Sequence, residues 1–302
     1  MRPNVHIILS SINAKKGRFL QKDQLTISPH YLRRFHQFHD NLHSWSLLQC
    51  LHQRNVKSAN RKYACFLLNI TSQSAKNFER YKYVWQDADL RVAVDGSANY
   101  LAEKRLVQTA DVICGDFDSI DAKLLESLRC PTKASKLQFL RDNRDRSSRL
   151  TLPQVIETQN QSQTDFTKSL RVAAEIRPDI SFFIGLYDTD GSRIDHLFGL
   201  VNTLHLFKKN VVIVNVRSNT ISWILWPGRH SIKKLHGKEM CSLVPFSGPA
   251  ELTTEGLVYD LSPNVSLHFG GKISTSNICL EEANAISIDT NHEILWSIDL
   301  CT

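Results

Sequence analysis

The sequence predicts a parallel α/β sheet domain followed by an antiparallel β-sandwich domain. Short apolar runs alternate with helical patterns up to about residue 216, which is typical of a Rossmann-like sheet with crossover helices. After residue 217 the helical patterns stop, and short strands follow that are separated by Gly, Pro, Asn or Ser. Residues 1–62 show neither pattern. We therefore divide the chain into an extension (1–62), an α/β domain (63–216) and a β-sandwich domain (217–302).

The individual elements follow from local patterns. In the α/β domain, apolar runs predict strands at 64–70, 90–94, 111–114, 155–157, 180–184 and 211–216. Helical spacing predicts helices at 98–104, 122–128, 166–175 and 197–207. The β-sandwich strands are predicted at 221–226, 240–245, 250–254, 273–276, 285–288 and 294–300. A mixed-charge run at 141–149 predicts a solvated loop, within a segment (130–152) that is long for a connection.

Composition excludes several classes of protein. No apolar run approaches the roughly 20 residues that a membrane span needs. The net charge of +7 is distributed as +9 in residues 1–62 and −2 in the remainder, which argues against a nucleic-acid-binding core. Seven scattered cysteines, odd in number and without a CxxC pair, predict reduced thiols rather than a disulfide framework or a zinc site.

The basic extension bears on the compartment. Residues 1–62 are acid-poor and contain six of the twelve histidines, a composition similar to an organelle transit peptide. A disordered extension or an imperfect gene model explains the same composition, and together we favour these two over targeting. We therefore expect a cytoplasmic protein, with mitochondrial import through residues 1–62 as the second possibility.

The stretch "ICGDFDSI" at 113–120 sets two acidic residues next to an apolar run. One interpretation is a turn, in which Gly115 and Asp116 end a strand and Ser119 caps the helix that follows. The other is a divalent metal site, because Asp116 and Asp118 at the carboxyl end of a strand can converge on Mg²⁺.

Three further polar motifs follow predicted strands, and they favour the metal interpretation. The carboxyl ends of parallel strands lie at one edge of a sheet, which is where ligands bind. Each motif alone has an ordinary explanation, such as Thr164 or Asp165 as a helix N-cap or Lys168 on a solvated helix face. Together the four motifs predict a site for a metal and a polyphosphate. Their polar residues are Asp95 and Asn99; Asp116 and Asp118; Gln161, Thr164, Asp165 and Lys168; and Asp188, Asp190, Arg193 and Asp195.

Familiar phosphate and hydrolase motifs are missing from the sequence. Gly270-Gly271-Lys272 is followed by Ile273 and lacks the upstream glycine of a Walker A motif. No GxGxxG follows a strand, and no GxSxG elbow is present.

In their order, the motifs resemble those of thiamin pyrophosphokinases of the animal type, over about four-fifths of the chain from residue 63. The α/β motifs that carry the resemblance are "DGSANYL" (95–101), "ICGDFDSI" (113–120), "TDFTKSL" (164–170) and "SRIDHLFGLVNTL" (192–204). Those of the β domain are "PGRH" (227–230), "TTEGLVYDL" (253–261), "FGGKISTSN" (269–277) and "ILWSI" (294–298).

The resemblance implies Mg²⁺-dependent transfer of pyrophosphate from ATP to the hydroxyl of thiamin, with release of AMP. It also implies a homodimer whose active site joins the α/β domain of one subunit to the β domain of the other. Mg²⁺ is assigned to Asp116, Asp118 and Asp165, and the triphosphate to Lys168 and Arg193. Asp195 is assigned to the metal or to Arg193, and Asp118 is the candidate acceptor of the hydroxyl proton.

The remaining assignments concern binding. The nucleotide cleft is assigned to Asp95, Asn99, Gln161 and Thr164. The thiamin pyrimidine is assigned to Ser274, Ser276 and Asn277. No nucleic-acid or membrane partner is expected.

The sequence departs from the family pattern at three places. An acidic Asp-Gln-Asp is replaced by Asn160-Gln161-Ser162, Met240 stands where a Trp is common, and the 130–152 segment is longer by roughly 20 residues. These departures leave a catalytically impaired paralogue, which binds nucleotide or thiamin without turnover, as the alternative. A glycosyltransferase that uses Asp116-Phe117-Asp118 as its metal motif is a weaker alternative.

Overall fold

The computed structural model describes residues 62–130, 152–189, 191, 193–207, 210–234, 238–262 and 264–300. The predicted extension 1–62 and inserted loop 130–152 lie outside these ranges, except for their boundary residues. Within the described residues, the strands form one ten-stranded sheet and one four-stranded sheet.

The parallel half of the large sheet contains the first six strands. They are β1 Tyr63–Leu68, β2 Leu90–Val94, β3 Val112–Gly115, β4 Gln154–Glu157, β5 Phe182–Tyr187 and β6 Val211–Asn215. They lie in the order β6-β5-β1-β2-β3-β4, and each neighbouring pair is parallel. Their carboxyl ends therefore share one edge of the sheet, where ligands of open α/β sheets bind.

Helices cover both faces of this parallel half. They are α1 Ala75–Glu79, α2 Lys82–Gln86, α3 Ser97–Glu103, α4 Ala122–Arg129, α5 Asp165–Ile176 and α6 Ile194–Leu206. Cys65 and Leu67 of β1 pack in a core with residues of α1 to α4, whereas Phe66 and Leu68 pack in a second core with residues of α5 and α6. Because both faces are buried, the parallel strands are continuous apolar runs instead of alternating ones.

The remaining strands are antiparallel and belong partly to the large sheet and partly to the small sheet. They are β7 Thr220–Leu225, β8 Gly228–Lys233, β9 Met240–Val244, β10 Ala250–Glu255, β11 Ser266–Leu267, β12 Ser274–Ile278, β13 Ala285–Thr290 and β14 Ile294–Asp299. The large sheet continues from β6 in the order β7-β14-β9-β12, and the small sheet has the order β11-β10-β13-β8. Trp223 and Trp296 are buried, with ring centroids 6.4 Å apart, in the same core as Ile232 and Ile288 of the small sheet. The two sheets therefore pack as a sandwich.

The predicted fold class, a parallel α/β sheet followed by an antiparallel β-sandwich, is confirmed. β6 and β7 pair directly, so the large sheet continues across residues 216 and 217, and the predicted division into domains stays a prediction. The sequence analysis missed α1 and α2, which are too short to show helical periodicity, the polar edge strand β8 and the two-residue strand β11. None of the helices in the described part of the chain is long and apolar enough to span a membrane.

Candidate active site

Three carboxylates converge at the carboxyl edge of the parallel strands. Asp95 directly follows β2 and Asp116 directly follows β3, its neighbour in the sheet, with Asp118 two residues further on. One carboxylate oxygen from each residue lies within 4.8 Å of the other two. Asp95 is buried and Asp118 is exposed, so the cluster opens from the sheet edge towards solvent.

The backbone is shaped to bring these residues together. Asp95 has φ +45° and Phe117 has φ +64°, both in the left-handed region that non-glycine residues seldom adopt. Gly115 ends β3 beside Asp95, and a Cβ atom at this position would lie 2.9 Å from the Asp95 Cβ. Glycine is therefore required for the close approach of the two strand ends.

Lys168 supplies the positive charge next to the cluster. It lies in the first turn of α5, and its side chain is 5% exposed. Its Nζ is 3.5 Å from Asp116 Oδ2 and 2.6 Å from Asp165 Oδ1, and it donates to the Thr158 carbonyl at 3.1 Å. The predicted alternative of a solvated Lys168 is therefore wrong, because the side chain is buried against two carboxylates.

The electrostatics of Asp95 and Asp116 differ. Burial raises the pKa of Asp95 to about 6, and the charges of Asp165 and Asp118 act in the same direction. Burial would also raise the pKa of Asp116, but the hydrogen bond from Gln161 and the charge of Lys168 hold it below its ordinary value. Within the described part of the chain, Lys168 thus compensates the charge of Asp116, whereas no cation pairs with Asp95.

The residues present fit a divalent metal. The Oδ1 atom of Asp95 is buried and has no hydrogen-bond partner among the described residues, which a cation at this position would supply. Three carboxylates form the all-oxygen ligand set that Mg²⁺ prefers. The sequence analysis placed Asp116, Asp118 and Asp165 in this set. In the structure, Asp95 stands with Asp116 and Asp118, and Asp165 contacts Lys168.

Three of the residues assigned to the nucleotide have protein partners. Asn99 bonds to the main chain of the loop between β3 and α4. The Gln161 amide donates to Asp116 Oδ2 at 3.0 Å. Thr164 is the N-cap of α5 and accepts from the Thr167 amide at 3.2 Å, which is the ordinary explanation considered for it.

The loop after β3 contains the N-cap of α4. Ser119 is not the cap of α4, as the turn interpretation supposed. Asp121 is the N-cap, and its Oδ1 accepts from the Leu124 amide at 2.9 Å. The hydroxyl of Ser119 instead donates to Asp118 Oδ1 at 2.7 Å.

Arg193 and Asp195 lie at the start of α6, after β5, and pair with each other. Arg193 Nε donates to Asp195 Oδ1 at 2.9 Å, and both side chains are 62% exposed. This hydrogen bond lowers the pKa of Asp195 to about 2. The strands β1 and β2 lie between β5 and β3 in the sheet. The ion pair of Arg193 and Asp195 is therefore separated along the sheet edge from the three-carboxylate cluster.

The residues assigned to thiamin lie on β12, at the far edge of the large sheet. Ser276 is exposed, Ser274 is partly exposed, and Asn277 is buried. The amide of Asn277 accepts from the Tyr259 N–H at 3.2 Å and donates to the Tyr259 carbonyl at 2.9 Å. Asn277 therefore fixes the backbone of Tyr259, whose side chain is 65% exposed. Tyr259 lies in the motif at 253–261, but the sequence analysis assigned no role to it.

The structure also describes positions 160 and 162, where the family pattern has acidic residues. Asn160 and Ser162 are exposed and bond to each other, with the Ser162 amide donating to Asn160 Oδ1 at 2.8 Å. The carboxylates that converge in the structure are those of Asp95, Asp116 and Asp118. The cluster therefore forms without carboxylates at these two positions.

Two family models match the chain. Residues 81–215 match the thiamin pyrophosphokinase catalytic domain, and residues 229–295 match the thiamin pyrophosphokinase vitamin B1 binding domain. The acidic cluster and Lys168 lie in the first match, whereas β12 and Tyr259 lie in the second.

Similar proteins extend over most of the chain. Thiamine pyrophosphokinase 3 of Oryza sativa subsp. japonica is 30% identical over 258 residues, which is 78% of this chain and 88% of the relative. Thiamine pyrophosphokinase 1 of Arabidopsis thaliana is 29% identical over 86% of this chain and 93% of the relative. The crystal structure of yeast thiamin pyrophosphokinase has the same fold, with a TM-score of 0.60 at 18% identity over 84% of this chain and 89% of that one. The chain therefore belongs to the thiamin pyrophosphokinase family.

Proposed function

We propose that this protein transfers pyrophosphate from ATP to the hydroxyl of thiamin, giving thiamin diphosphate and AMP. The observation that carries the proposal is the convergence of Asp95, Asp116 and Asp118 beside the buried Lys168, in a chain of this family. The comparisons favour neither the impaired paralogue nor the glycosyltransferase.

The reaction joins the thiamin hydroxyl oxygen to the β-phosphorus of ATP and breaks the bond between that phosphorus and the oxygen that it shares with the α-phosphorus. Such reactions are accelerated mainly by positioning and by neutralising negative charge. Lys168 is held by Asp116 and Asp165 at the sheet edge, and its ammonium neutralises charge on the phosphates. The hydroxyl proton passes to a carboxylate, for which the exposed Asp118 is our candidate.

Asp95, Asp116 and Asp118 are the residues that we assign to Mg²⁺. When bound, the ion neutralises phosphate charge and orients the phosphate oxygens. Asp165 then serves to hold Lys168, and Gln161 to hold Asp116, instead of binding metal or nucleotide directly.

The test is an assay of the full-length chain with thiamin, ATP and Mg²⁺ that separates AMP from ADP and thiamin diphosphate from thiamin. We expect equal amounts of AMP and thiamin diphosphate, lost in Asp118→Asn. A folded protein that binds ATP and Mg²⁺ but makes no AMP would refute the proposal and support the impaired paralogue.

The topology supports an active site shared between two chains. The sheet order places eight strand spacings between β12, with Ser276, and β3, which precedes Asp116. At about 4.8 Å per spacing, these strands are about 38 Å apart along the sheet. A thiamin bound at β12 therefore does not reach the acidic cluster of its own chain. We propose a homodimer in which β12 of one chain faces the cluster of the other.

Exposed apolar side chains offer a surface for this dimer. Ile194 and Phe198 project from α6 and are 60% and 49% exposed, and Phe269 is 56% exposed. Phe246 joins the aromatic residues, with ring centroids 6.0 Å from Phe198 and 5.3 Å from Phe269. An exposed patch of this kind is typical of a protein–protein interface.

A mixing experiment tests the shared site. Asp118→Asn inactivates the α/β side, and Tyr259→Ala lowers the activity of the thiamin side about tenfold when thiamin is kept well below its KM. Neither homodimer then has a fully active site. Unfolding and refolding the two variants together gives heterodimers in which one of the two sites is intact, and recovery should reach about a quarter of the wild-type activity. No recovery, with dimers confirmed by light scattering, would show that each site lies within one chain.

Tyr259 is our candidate for the aromatic contact to thiamin. Met240 lies opposite Ile278 in the pairing of β9 with β12, and the Val258 amide donates to the Ile278 carbonyl at 2.8 Å. The ring of Tyr259 and the half-exposed thioether of Met240 therefore belong to the same end of β12. Tyr259→Phe should keep the KM for thiamin near that of wild type, whereas Tyr259→Ala should raise it about tenfold, corresponding to about 1.4 kcal/mol. An unchanged KM in Tyr259→Ala would exclude this role.

The cysteines bear on the compartment. Cys65, Cys114, Cys130, Cys241 and Cys279 are free thiols in the described part of the chain. Free thiols are typical of proteins in reducing compartments, and we propose that the enzyme acts in the cytoplasm. Fractionation of cells that express the tagged full-length chain tests this, and recovery in the mitochondrial fraction would contradict it.

A further inference from the structure

Asn99 links the two segments that carry the acidic cluster. It lies in α3, four residues after Asp95. Its Nδ2 donates to the Ser119 carbonyl at 2.9 Å, and its Oδ1 accepts from the Asp121 amide at 2.8 Å. Both bonds reach main-chain atoms of the loop that contains Asp116 and Asp118. One short side chain thus spans from the β2 segment to the β3 segment.

Other hydrogen bonds of this loop are local, apart from those that Gln161 and Lys168 donate to Asp116. The Asp118 amide donates to Asp116 Oδ1 at 3.4 Å, and the Ser119 hydroxyl donates to Asp118 Oδ1. Asp121 turns towards α4 as its N-cap. These bonds shape the loop internally, or join it to the next helix. The Asp95 amide donates to the Cys114 carbonyl at 2.9 Å, which joins the two strand ends, and the bonds of Asn99 extend this link to the part of the loop after Asp118.

Packing around Gly96 shows that the link is close. A Cβ atom at Gly96 would lie 3.2 Å from the Ser119 Cβ and 3.3 Å from the Ser119 carbonyl oxygen. The start of α3 therefore lies against the loop where Asn99 bonds to it. A displacement of the loop would break both hydrogen bonds of Asn99 at once.

We infer that Asn99 is a positioning residue, which sets the distance between Asp95 and the pair Asp116 and Asp118 instead of contacting the nucleotide. This inference rests on the metal site of the proposed function. Outer-shell residues that orient metal ligands typically contribute about 10- to 100-fold to metal affinity. Asn99→Ala should accordingly weaken binding of a divalent cation while leaving thiamin binding unchanged.

The experiment measures binding of Mn²⁺ alone to the full-length chain by electron paramagnetic resonance, without nucleotide or thiamin. Asn99→Ala should raise the Kd for Mn²⁺ about tenfold or more. A matched control is Asn291→Ala, since Asn291 lies in the turn between β13 and β14 of the sandwich, where its Oδ1 accepts from the Glu251 amide of β10 at 2.8 Å. This control should leave the Kd unchanged. The KM for ATP at saturating Mg²⁺ should be the same in Asn99→Ala and wild type.

A second variant separates positioning from charge. Asn99→Asp keeps the acceptor for the Asp121 amide and loses the donor to the Ser119 carbonyl. Its added negative charge, acting through space alone, would tighten Mn²⁺ binding, whereas loss of positioning weakens it. Tighter binding would overturn the inference, and it also provides the test if Asn99→Ala does not fold.

The remaining outcomes distinguish this inference from the proposed function. Wild type that binds Mn²⁺, with equal binding by Asn99→Ala, leaves the metal site standing and refutes the positioning role. If the variant instead shows a raised KM for ATP, Asn99 contacts the nucleotide. Wild type that binds no Mn²⁺ refutes the metal site and the inference together.

Discussion

Replacing Lys168 with Met should lower turnover strongly, because this buried ammonium is in contact with two carboxylates. Its Nζ lies 3.5 Å from Asp116 Oδ2 and 2.6 Å from Asp165 Oδ1. Unit charges 3.5 Å apart attract by about 5 kcal/mol at an effective dielectric constant of about 20. Desolvation offsets much of this attraction, but removing one partner of a buried pair typically costs about 3–5 kcal/mol. Asp165 is partly exposed, so we expect a loss in the free energy of unfolding of about 3 kcal/mol.

Two further measurements on Lys168→Met should change in opposite directions. Formation of AMP and thiamin diphosphate at saturating Mg²⁺ should fall about 10²- to 10³-fold, the usual effect of removing one positioned group that stabilises developing charge. The affinity for Mn²⁺ in the absence of nucleotide should rise, since a cation next to three carboxylates has been removed. Both follow from the same contact, so they should be seen in the same preparation.

The control for this variant is Lys82→Met. Lys82 pairs with Glu79 at 3.0 Å on the surface, where such pairs are worth at most about 1 kcal/mol. Activity and Mn²⁺ affinity should match wild type. The reasoning about Lys168 would be refuted by a Lys168→Met protein with a melting temperature and a kcat close to those of wild type.

Three other perturbations test the same edge of the sheet. The folded-state pKa of Asp95, about 6, lies above its ordinary value of 3.8, so the metal-free protein should lose stability as pH rises from about 4 to about 6. Asp95→Asn should remove this loss of stability and abolish activity. Urea titrations with EDTA at pH 7 should show a free energy of unfolding higher by up to about 3 kcal/mol. An unchanged pH dependence of stability would contradict the shifted pKa. Gly115→Ala should cost about 1–3 kcal/mol and lower kcat, because its Cβ would lie 2.9 Å from the Asp95 Cβ; thermal unfolding and activity near those of wild type would exclude this crowding. Asp121→Ala should destabilise α4 by about 1 kcal/mol in thermal unfolding through loss of its N-cap, and no loss would show that the cap is dispensable.

The fold could be predicted from the sequence where burial leaves a regular pattern. β2 has the predicted bounds, Leu90–Val94, because a buried parallel strand is a continuous apolar run between polar residues. The five-residue helices α1 and α2 leave no such pattern, since each is little more than one turn. β8 was missed because its inward-facing residues are Gly228, His230 and Ile232, and only Ile232 is a large apolar residue, so the sequence shows no apolar alternation.

The sequence predicted which residues form the candidate site, but not which of them contact each other. The position of Asp116 after a parallel strand follows from the chain order alone. That Asp95 joins Asp116 and Asp118, while Asp165 turns to Lys168, depends on the pairing of β2 with β3 and on the left-handed backbone at Asp95. Such three-dimensional information is absent from motif spacing, which treats each motif separately.

The charges at the cluster imply an order in which ligands bind. Among the described residues, Lys168 is the one ammonium that contacts this group, through Asp116 and Asp165. With Asp95 and Asp118 also present, the site carries an excess of negative charge at pH 7. An ATP triphosphate is repelled by such a site until a divalent cation compensates the carboxylates. Calorimetry in EDTA should therefore show no ATP binding, with binding restored by Mg²⁺. Thiamin, whose proposed partners lie on β12 and not at the cluster, should bind equally well in both buffers. Tight binding of metal-free ATP would show that the carboxylates are neutralised by other residues and that the cluster does not require a cation.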